Sequence, residues 1–437
     1  MKRSLIFSLL LGLASCSFRP TALEPPPPEP YPWTVILYFG VDNVQFGAFP
    51  TDLWGLTDNL LAGGAALMRP QVPVVMLYDG TRTGDSKIIE LSRRVVIDDQ
   101  GEVIPSDTRE VNYGDPATMA RFILWVARRY PARHYLLGLC HHYGWVGYNT
   151  DERSPGPLGM DILTLAEHGQ AMDQVKAAGV QIDVIWFEAC SITMLESLYR
   201  YGQDARFVVG NEDTIDFYEL VTRAVRMVRW LSRHSEATPE EVAERLVAAT
   251  PVLTPALAWN QLTPLTYSIN PKSPGYRKGK PLMPQLWLPT QFAFSGPAVL
   301  KVAPALDRLA RALLQELPGS RPVILQAREQ AREYTLSPEY VDLVDFCEQL
   351  KRQALGLEIE SACLEVKQAV EGAVAAAKKF QNDHRHHGVL ILFPARGPEY
   401  LRAIANPFDP ADHYSNLQLA RDTQWDEFLA ELWAQGT

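Results

Sequence analysis

The sequence predicts an α/β protein, built on a mostly parallel sheet with helices on both faces and followed by a more helical C-terminal part. Three observations support this. Short apolar runs without clear alternation recur through the first half. Helical patterns separate them, and helical periodicity takes over in the second half. Non-alternating apolar strands are those covered on both faces, and strands alternating with helices form right-handed crossovers.

In chain order, the runs are Thr34–Phe39, Val72–Tyr78, Tyr135–Cys140 and Ile182–Phe187, with Phe207–Gly210 as a fifth. Between them the pattern predicts helices over Leu53–Met68, Pro116–Tyr130 and Ile162–Ala178. Thr51 or Asp52 caps the first, Asp115-Pro116 opens the second, and Gly179 stops the third. Val95–Asp98, Gly101 and Val103 mark a hairpin-like insertion within 87–112. Further helices are expected over Tyr218–Arg233, Pro239–Ala249, Pro297–Glu316, Val341–Leu355, Glu360–Phe380 and Thr423–Trp433. Gly388–Pro394 reads as a late strand. Pro251–Ser295 is rich in proline and polar residues and reads as a long irregular segment, a lid or processing region. No internal repeat is evident.

The 437 residues, 47 % apolar and 21 % charged, suffice for a sizeable core. A net charge of −10 argues against nucleic acid as a partner, because non-specific binding needs a basic surface. Lys2 and Arg3 precede a short apolar stretch, Ser4–Leu13, too short to span a bilayer. Leu13-Ala14-Ser15-Cys16 then resembles a bacterial lipobox, which makes Cys16 the lipidation site and residues 1–16 a lipoprotein signal peptide. Ser17 after the cysteine favours the outer membrane in a Gram-negative cell. Residues 17–32 form a Pro-rich linker, and the folded domain spans 33–437, with a core over about 33–220 and a helical part over about 221–437. The expected location is the cell envelope, with the membrane reached through the lipid. No later run is apolar enough to predict a transmembrane helix. Cys347 and Cys363 lie on apolar helical patterns and read as core thiols, and no CxxC occurs.

Two strand ends carry the chemistry. One runs from Cys140 into His141-His142-Tyr143-Gly144-Trp145, the other from Phe187 into Glu188-Ala189-Cys190-Ser191. Ligands of open α/β sheets bind outside the carboxyl ends of strands. If these strands are neighbours, a histidine and a cysteine share one crevice. A thiol needs a base to become the attacking thiolate, and the same imidazole can protonate the leaving amine. The backbone at Gly144 and the N–H of Cys190 are candidate oxyanion donors. His141 and His142 both remain candidates for the base. Cys140 ends the apolar strand itself and reads as a core thiol. Asp42 and Asn43, at the first strand's end, border the same crevice.

These pieces together resemble the clostripain family of cysteine peptidases, whose fold is caspase-like and related to that of legumain and gingipains. Trp33–Tyr38 with Asp42-Asn43, and Asn112–Asp115 through Phe122, Trp125 and Tyr130-Pro131, are similar to the family's opening strand and to its helix before the histidine strand. His141–Trp145 resembles its His-Gly-x-Gly-Trp, and Phe187–Cys190 its Phe-Asp-x-Cys. Gly388–Pro394 and Asp422–Phe428 resemble its last strand and helix. A histidine about fifty residues before the cysteine also occurs in caspases, and here the spacing is 49.

The resemblance implies His141 as base and Cys190 as nucleophile, with His142 at the family's glycine position. It implies that Glu188, where the family has Asp, lines a pocket for an Arg or Lys side chain. A second acid is expected after the next strand, with Asp213 the first choice over Glu212 and Asp216. The chemistry requires no cofactor. Calcium is implied by the family, with no site located. His384–His387 reads as a loop before the last strand rather than a metal site. The expected function is a lipid-anchored cysteine endopeptidase acting on protein or peptide substrates, after Arg or Lys. The alternative, motivated by His142, is an inactive surface lipoprotein that keeps the fold as a binding or assembly module.

Overall fold

The computed structural model describes residues 29–40, 72–79, 84, 86–90, 95–97, 103–104, 110–140, 143–144, 147–151, 161–212, 223, 226–250, 290–334, 338–379, 384–405 and 413–434. Five parallel strands form its centre: β1 (Tyr31–Gly40), β2 (Val74–Asp79), β6 (Ala132–Cys140), β10 (Ile182–Glu188) and β11 (Ala205–Asn211). They stand side by side in the order β11-β10-β6-β1-β2. All five are the apolar runs of the sequence.

The insertion forms an antiparallel meander of β3 (Lys87–Glu90), β4 (Val95–Ile97) and β5 (Val103–Ile104) beyond β2. At the other edge, β12 (Gln291–Ser295) pairs antiparallel with β11, and β14 (Val374–Lys378) pairs antiparallel with β12. The parallel centre is thus flanked by antiparallel strands on both sides. Small separate sheets pair β7 (Tyr143–Gly144) with β8 (Gly147–Asp151) and β9 (Asp161–Thr164), and β13 (Tyr340–Asp342) with β15 (Leu390–Leu392).

Successive strand residues face opposite ways, so each central strand feeds two cores. Ile36, Tyr38, Leu137, Ile185 and Phe187 enter one. Helices α1 (Pro116–Arg129) and α2 (Leu165–Ala177) cover it through Met119, Ile123, Met172 and Val175. Val35, Leu37, Leu136, Val184 and Trp186 enter the other. Met227, Leu231, and Val242 and Leu246 of α4 (Pro239–Ala249) pack there, following the short α3 (Leu195–Tyr201) in the chain. Helices α5 (Val302–Gln330), α6 (Leu343–Arg352), α7 (Leu357–Ala373) and α8 (Trp425–Ala434) extend the first core into the C-terminal half.

Several expected boundaries move. α2 begins at Leu165, not Ile162, because Thr164 and Glu167 close a capping box and the preceding residues pair as β9. α5 continues past Glu316 with Pro318 and Pro322 inside it, although each proline removes a helical donor. Buried Leu317, Ile324 and Ala327 carry the helix across by packing. The pattern over Glu360–Phe380 splits into α7 and β14. The Ala-rich end pairs with β12, so tertiary pairing overrides alanine's helical preference. Tyr340–Asp342 is likewise a strand ahead of α6. The expected helix Leu53–Met68 and the irregular residues 251–289 lie outside the described residues.

Trp425 closes the C-terminal core. It is fully buried, stacks edge-on against Phe393, and donates from its indole to the Leu392 carbonyl of β15 at 2.9 Å. Trp425→Ala is expected to cost about 3–5 kcal/mol, measurable as a drop in unfolding midpoint without a change of denaturant slope.

Candidate active site

The carboxyl ends of β6 and β10 are hydrogen-bonded neighbours, with Cys140 opposite Glu188. His141 is the next residue after β6, and Cys190 comes two residues after β10. Cys190 is partly exposed and sits on the turn that leaves β10. Ser191 takes φ 48°, a left-handed conformation unusual for a non-glycine residue. The chain therefore bends sharply directly after the cysteine.

This turn is held from two sides. Asn211, at the end of β11, donates from Nδ2 to the Ala189 carbonyl at 3.4 Å, and its own carbonyl accepts from Thr193 N at 3.3 Å. Leu390 N of β15 donates to the Thr193 carbonyl at 3.0 Å, and Met194 forms a parallel bridge with Leu390. The late strand foreseen over Gly388–Pro394 thus braces the turn that carries Cys190. Gly210 lies directly beneath. A Cβ there would come within 2.3 Å of Ile192 Cγ2, so only glycine lets the turn settle on β11.

Glu188 is fully enclosed, and its carboxylate engages the equally buried Arg223, with Nη1 3.1 Å from Oε1. The expected pocket acid thus already carries a guanidinium. Burial pushes the Glu188 carboxyl up to about 7, with Arg223 pulling in the opposite direction. Arg223 Nη1 also donates to Gln291 Oε1 of β12, which accepts in turn from Thr250 Oγ1. Cys140 is a buried core thiol. Burial raises its pKa well above the ordinary range, and neighbouring Glu188 and Cys190 add to the effect.

Glu212 follows β11 and is fully buried. Its carboxylate pairs with His386 Nδ1 at 2.7 Å and accepts from Gly388 N at 3.0 Å. His387 pairs with Asp342 at 3.0 Å, and Arg385 with Asp345 at 2.6 Å. His384–His387 therefore sits ahead of the last strand, as expected, but Arg385, His386 and His387 are partners for buried acids. Asp342 is raised to about 7 by burial and by Glu212 beside it. Cys347 and Cys363 are buried, and the four described cysteines are thiols rather than disulfides. Gly144 lies in β7, paired with Gly147 of β8. His141, His142, Asp42, Asn43, Asp213, Asp216 and Cys16 lie outside the described residues. Among the described residues, no three acidic, histidine or cysteine side chains converge as a metal site, and no helix is long and apolar enough to cross a membrane.

Residues 63–249, which include His141 and Cys190, match the model of the clostripain family. Over that segment the chain is similar to the clostripain family. Solved structures share the fold across nearly the whole chain. One is a secreted C11 cysteine protease from Bacteroides thetaiotaomicron in complex with an irreversible peptide inhibitor. It is 16 % identical with a TM-score of 0.54, and the match covers 90 % of this chain and 99 % of that one. Another is an inactive zymogen C11 protease from Parabacteroides distasonis, at 15 % identity and TM-score 0.51, covering 91 % and 99 %. No curated relative matches at a significant level. The fold is thus shared with solved C11 cysteine proteases, and the similarity to the clostripain family spans the strands that lead into His141 and Cys190.

The sequence reading missed Arg223, Asn211, Gly210 and the histidine–carboxylate pairs. Arg223 had a readable signal: at helical spacing it falls in line with Met227 and Leu231, both fully buried. An arginine on such a stripe needs a buried acid.

Two outcomes follow. Gly210→Ala should push Ile192 and the turn bearing Cys190 outward, lowering kcat at least tenfold with a small change in unfolding midpoint; steady-state kinetics beside a denaturation curve checks this. The raised Glu188 pKa means that the folded state holds its proton at a pH where the unfolded chain has lost it. This contribution to stability is therefore present below about pH 4.5 and is lost as pH rises through about 7. Denaturant unfolding of Glu188→Gln should show a smaller fall in stability than the parent over that window.

Proposed function

We propose that the chain is an exported, lipid-anchored cysteine endopeptidase that cuts after Arg or Lys. Cys190 is the nucleophile and His141 the general base. The observation that carries the reading is the pairing of β6 with β10. It brings the strand that leads into His141 beside the strand that leads into Cys190, whose turn is braced from both sides.

In the proposed reaction, His141 takes the thiol proton and the Cys190 sulfur attacks the scissile carbonyl carbon. The oxyanion accepts hydrogen bonds from the backbone of Cys190 and Gly144. The tetrahedral intermediate collapses, and the C–N bond breaks as His141 protonates the leaving amine. Water, deprotonated by the same imidazole, then hydrolyses the thioester and returns the thiol. None of these steps calls for a metal. Asp42, Asn43 and Asp213 border the substrate crevice in this reading.

Basic specificity is supported by Glu188, whose carboxylate already receives a guanidinium. Export is supported by the lipobox-like Leu13–Cys16 and by the description of a similar structure as a secreted protease. Residues 1–16 are then the signal peptide, 17–32 the linker and 33–437 the peptidase domain, with Cys16 the lipid anchor in the cell envelope. His142, at the family's glycine position, favours a second reading as an inactive binding module.

Cys190→Ala should reduce cleavage of Arg- or Lys-containing peptides by at least about a thousandfold, and His141→Ala by about a hundredfold or more. Mass spectrometry of the products, with folding checked by circular dichroism, reads both. Undiminished turnover by Cys190→Ala would remove it as the nucleophile. A wild-type protein that cleaves nothing, and whose Cys190 resists an alkylating probe at neutral pH, would favour the binding module.

A further inference from the structure

We propose that Arg223 is a specificity-determining residue that occupies the Glu188 carboxylate in place of a substrate's basic side chain and competes with it. This rests on the proposed peptidase reading, because it concerns the side chain accepted beside Cys190.

The geometry is that of a filled cation seat. Glu188 ends β10, two residues from the nucleophile, and points to the same sheet face as Val184 and Trp186. On that face Arg223 places Nη1 3.1 Å from Glu188 Oε1 and donates to Gln291 Oε1. Gln291 is held in β12 opposite Asn211, the residue that also holds the Ala189 carbonyl. Two strands, β10 and β12, thus converge on one guanidinium, and all these side chains are enclosed. A buried carboxylate is stable as an ion only when paired, so it keeps a cation whether that cation is internal or brought by a ligand.

Exchanging one guanidinium for another leaves the carboxylate with the same kind of partner. The exchange is thus governed by what Arg223 gains outside its seat and what the incoming side chain gains inside it. The pair scales the apparent affinity for basic side chains down to the fraction of time that Arg223 is out of its seat. A neutral side chain of the same shape gains nothing from its departure.

The test compares kcat/KM of the full-length protein on two peptides identical except for Arg or citrulline, its neutral isostere, before the scissile bond. Arg223→Met should raise the Arg-to-citrulline ratio at least tenfold over wild type, and Arg223→Lys, which cannot bridge with a planar fork, about threefold. In parallel, ethylguanidinium should raise the melting temperature of Arg223→Met and leave that of wild type unchanged. Ratios within twofold of wild type in both variants, with no ethylguanidinium effect, overturn the proposal. If no protein cleaves either peptide, the peptidase reading fails, and the thermal shift alone decides whether Arg223 fills a cation seat. If Arg223→Met does not fold, the Arg223→Lys ratio decides.

Discussion

Everything distinctive about this molecule depends on the register in which β6 and β10 pair. Cys140 lies opposite Glu188, so the two strands end level with each other at the same edge of the sheet. A shift of one residue would turn every side chain of β10 to the other face. Trp186 would leave its core, and Glu188 would face the apolar helices α1 and α2. The two-sided burial of the central strands makes such a shift costly. The apolar core therefore fixes the position of the polar end.

The parallel centre was legible because its strands are buried on both faces, and such strands are written as continuous apolar runs. All five were read within a few residues of their observed bounds. So were the edge meander and the capped helix α1, whose Asp115 accepts from Ala117 N and Thr118 N as the Asp-Pro start implies. The antiparallel edge strands were not legible. Gln291–Ser295 is a short strand inside the segment Pro251–Ser295 that was read as irregular, and Val374–Lys378 continues a helical alanine pattern without a break. In both cases a partner strand, not the local sequence, decides the conformation.

The placement of Cys190 at a strand end was legible, and its surroundings were only half so. A cysteine after an apolar strand and a histidine after another are visible in sequence because strand ends are where chemistry gathers. The bracing of that cysteine is not, since the Asn211 amide, the space above Gly210 and the Leu390 N–H act on residues that lie elsewhere in the chain, and local composition does not reveal such pairings. The charge state of Glu188 was equally hidden. Its neighbours in sequence are apolar, and its cation arrives from a helix more than thirty residues later. An acid read from a motif is therefore incomplete until its counter-ion is known.

The C-terminal half also takes on a specific physical role. It supplies β12, whose Gln291 holds Arg223. It supplies β15, which braces the turn after Cys190. It supplies His386 and Gly388, which close over Glu212. Glu196 of α3, six residues beyond Cys190, is buried and accepts from Leu392 N and from the Tyr414 hydroxyl at 2.6 Å. Each of these contacts satisfies a group near the catalytic edge that would otherwise be buried without a partner, at a cost of about 1–3 kcal/mol apiece. The sheet's carboxyl edge can be both polar and dry only because this half covers it. A core ending near residue 220 would hold the cysteine and the strand that leads to the histidine, yet leave the turn between them open to water.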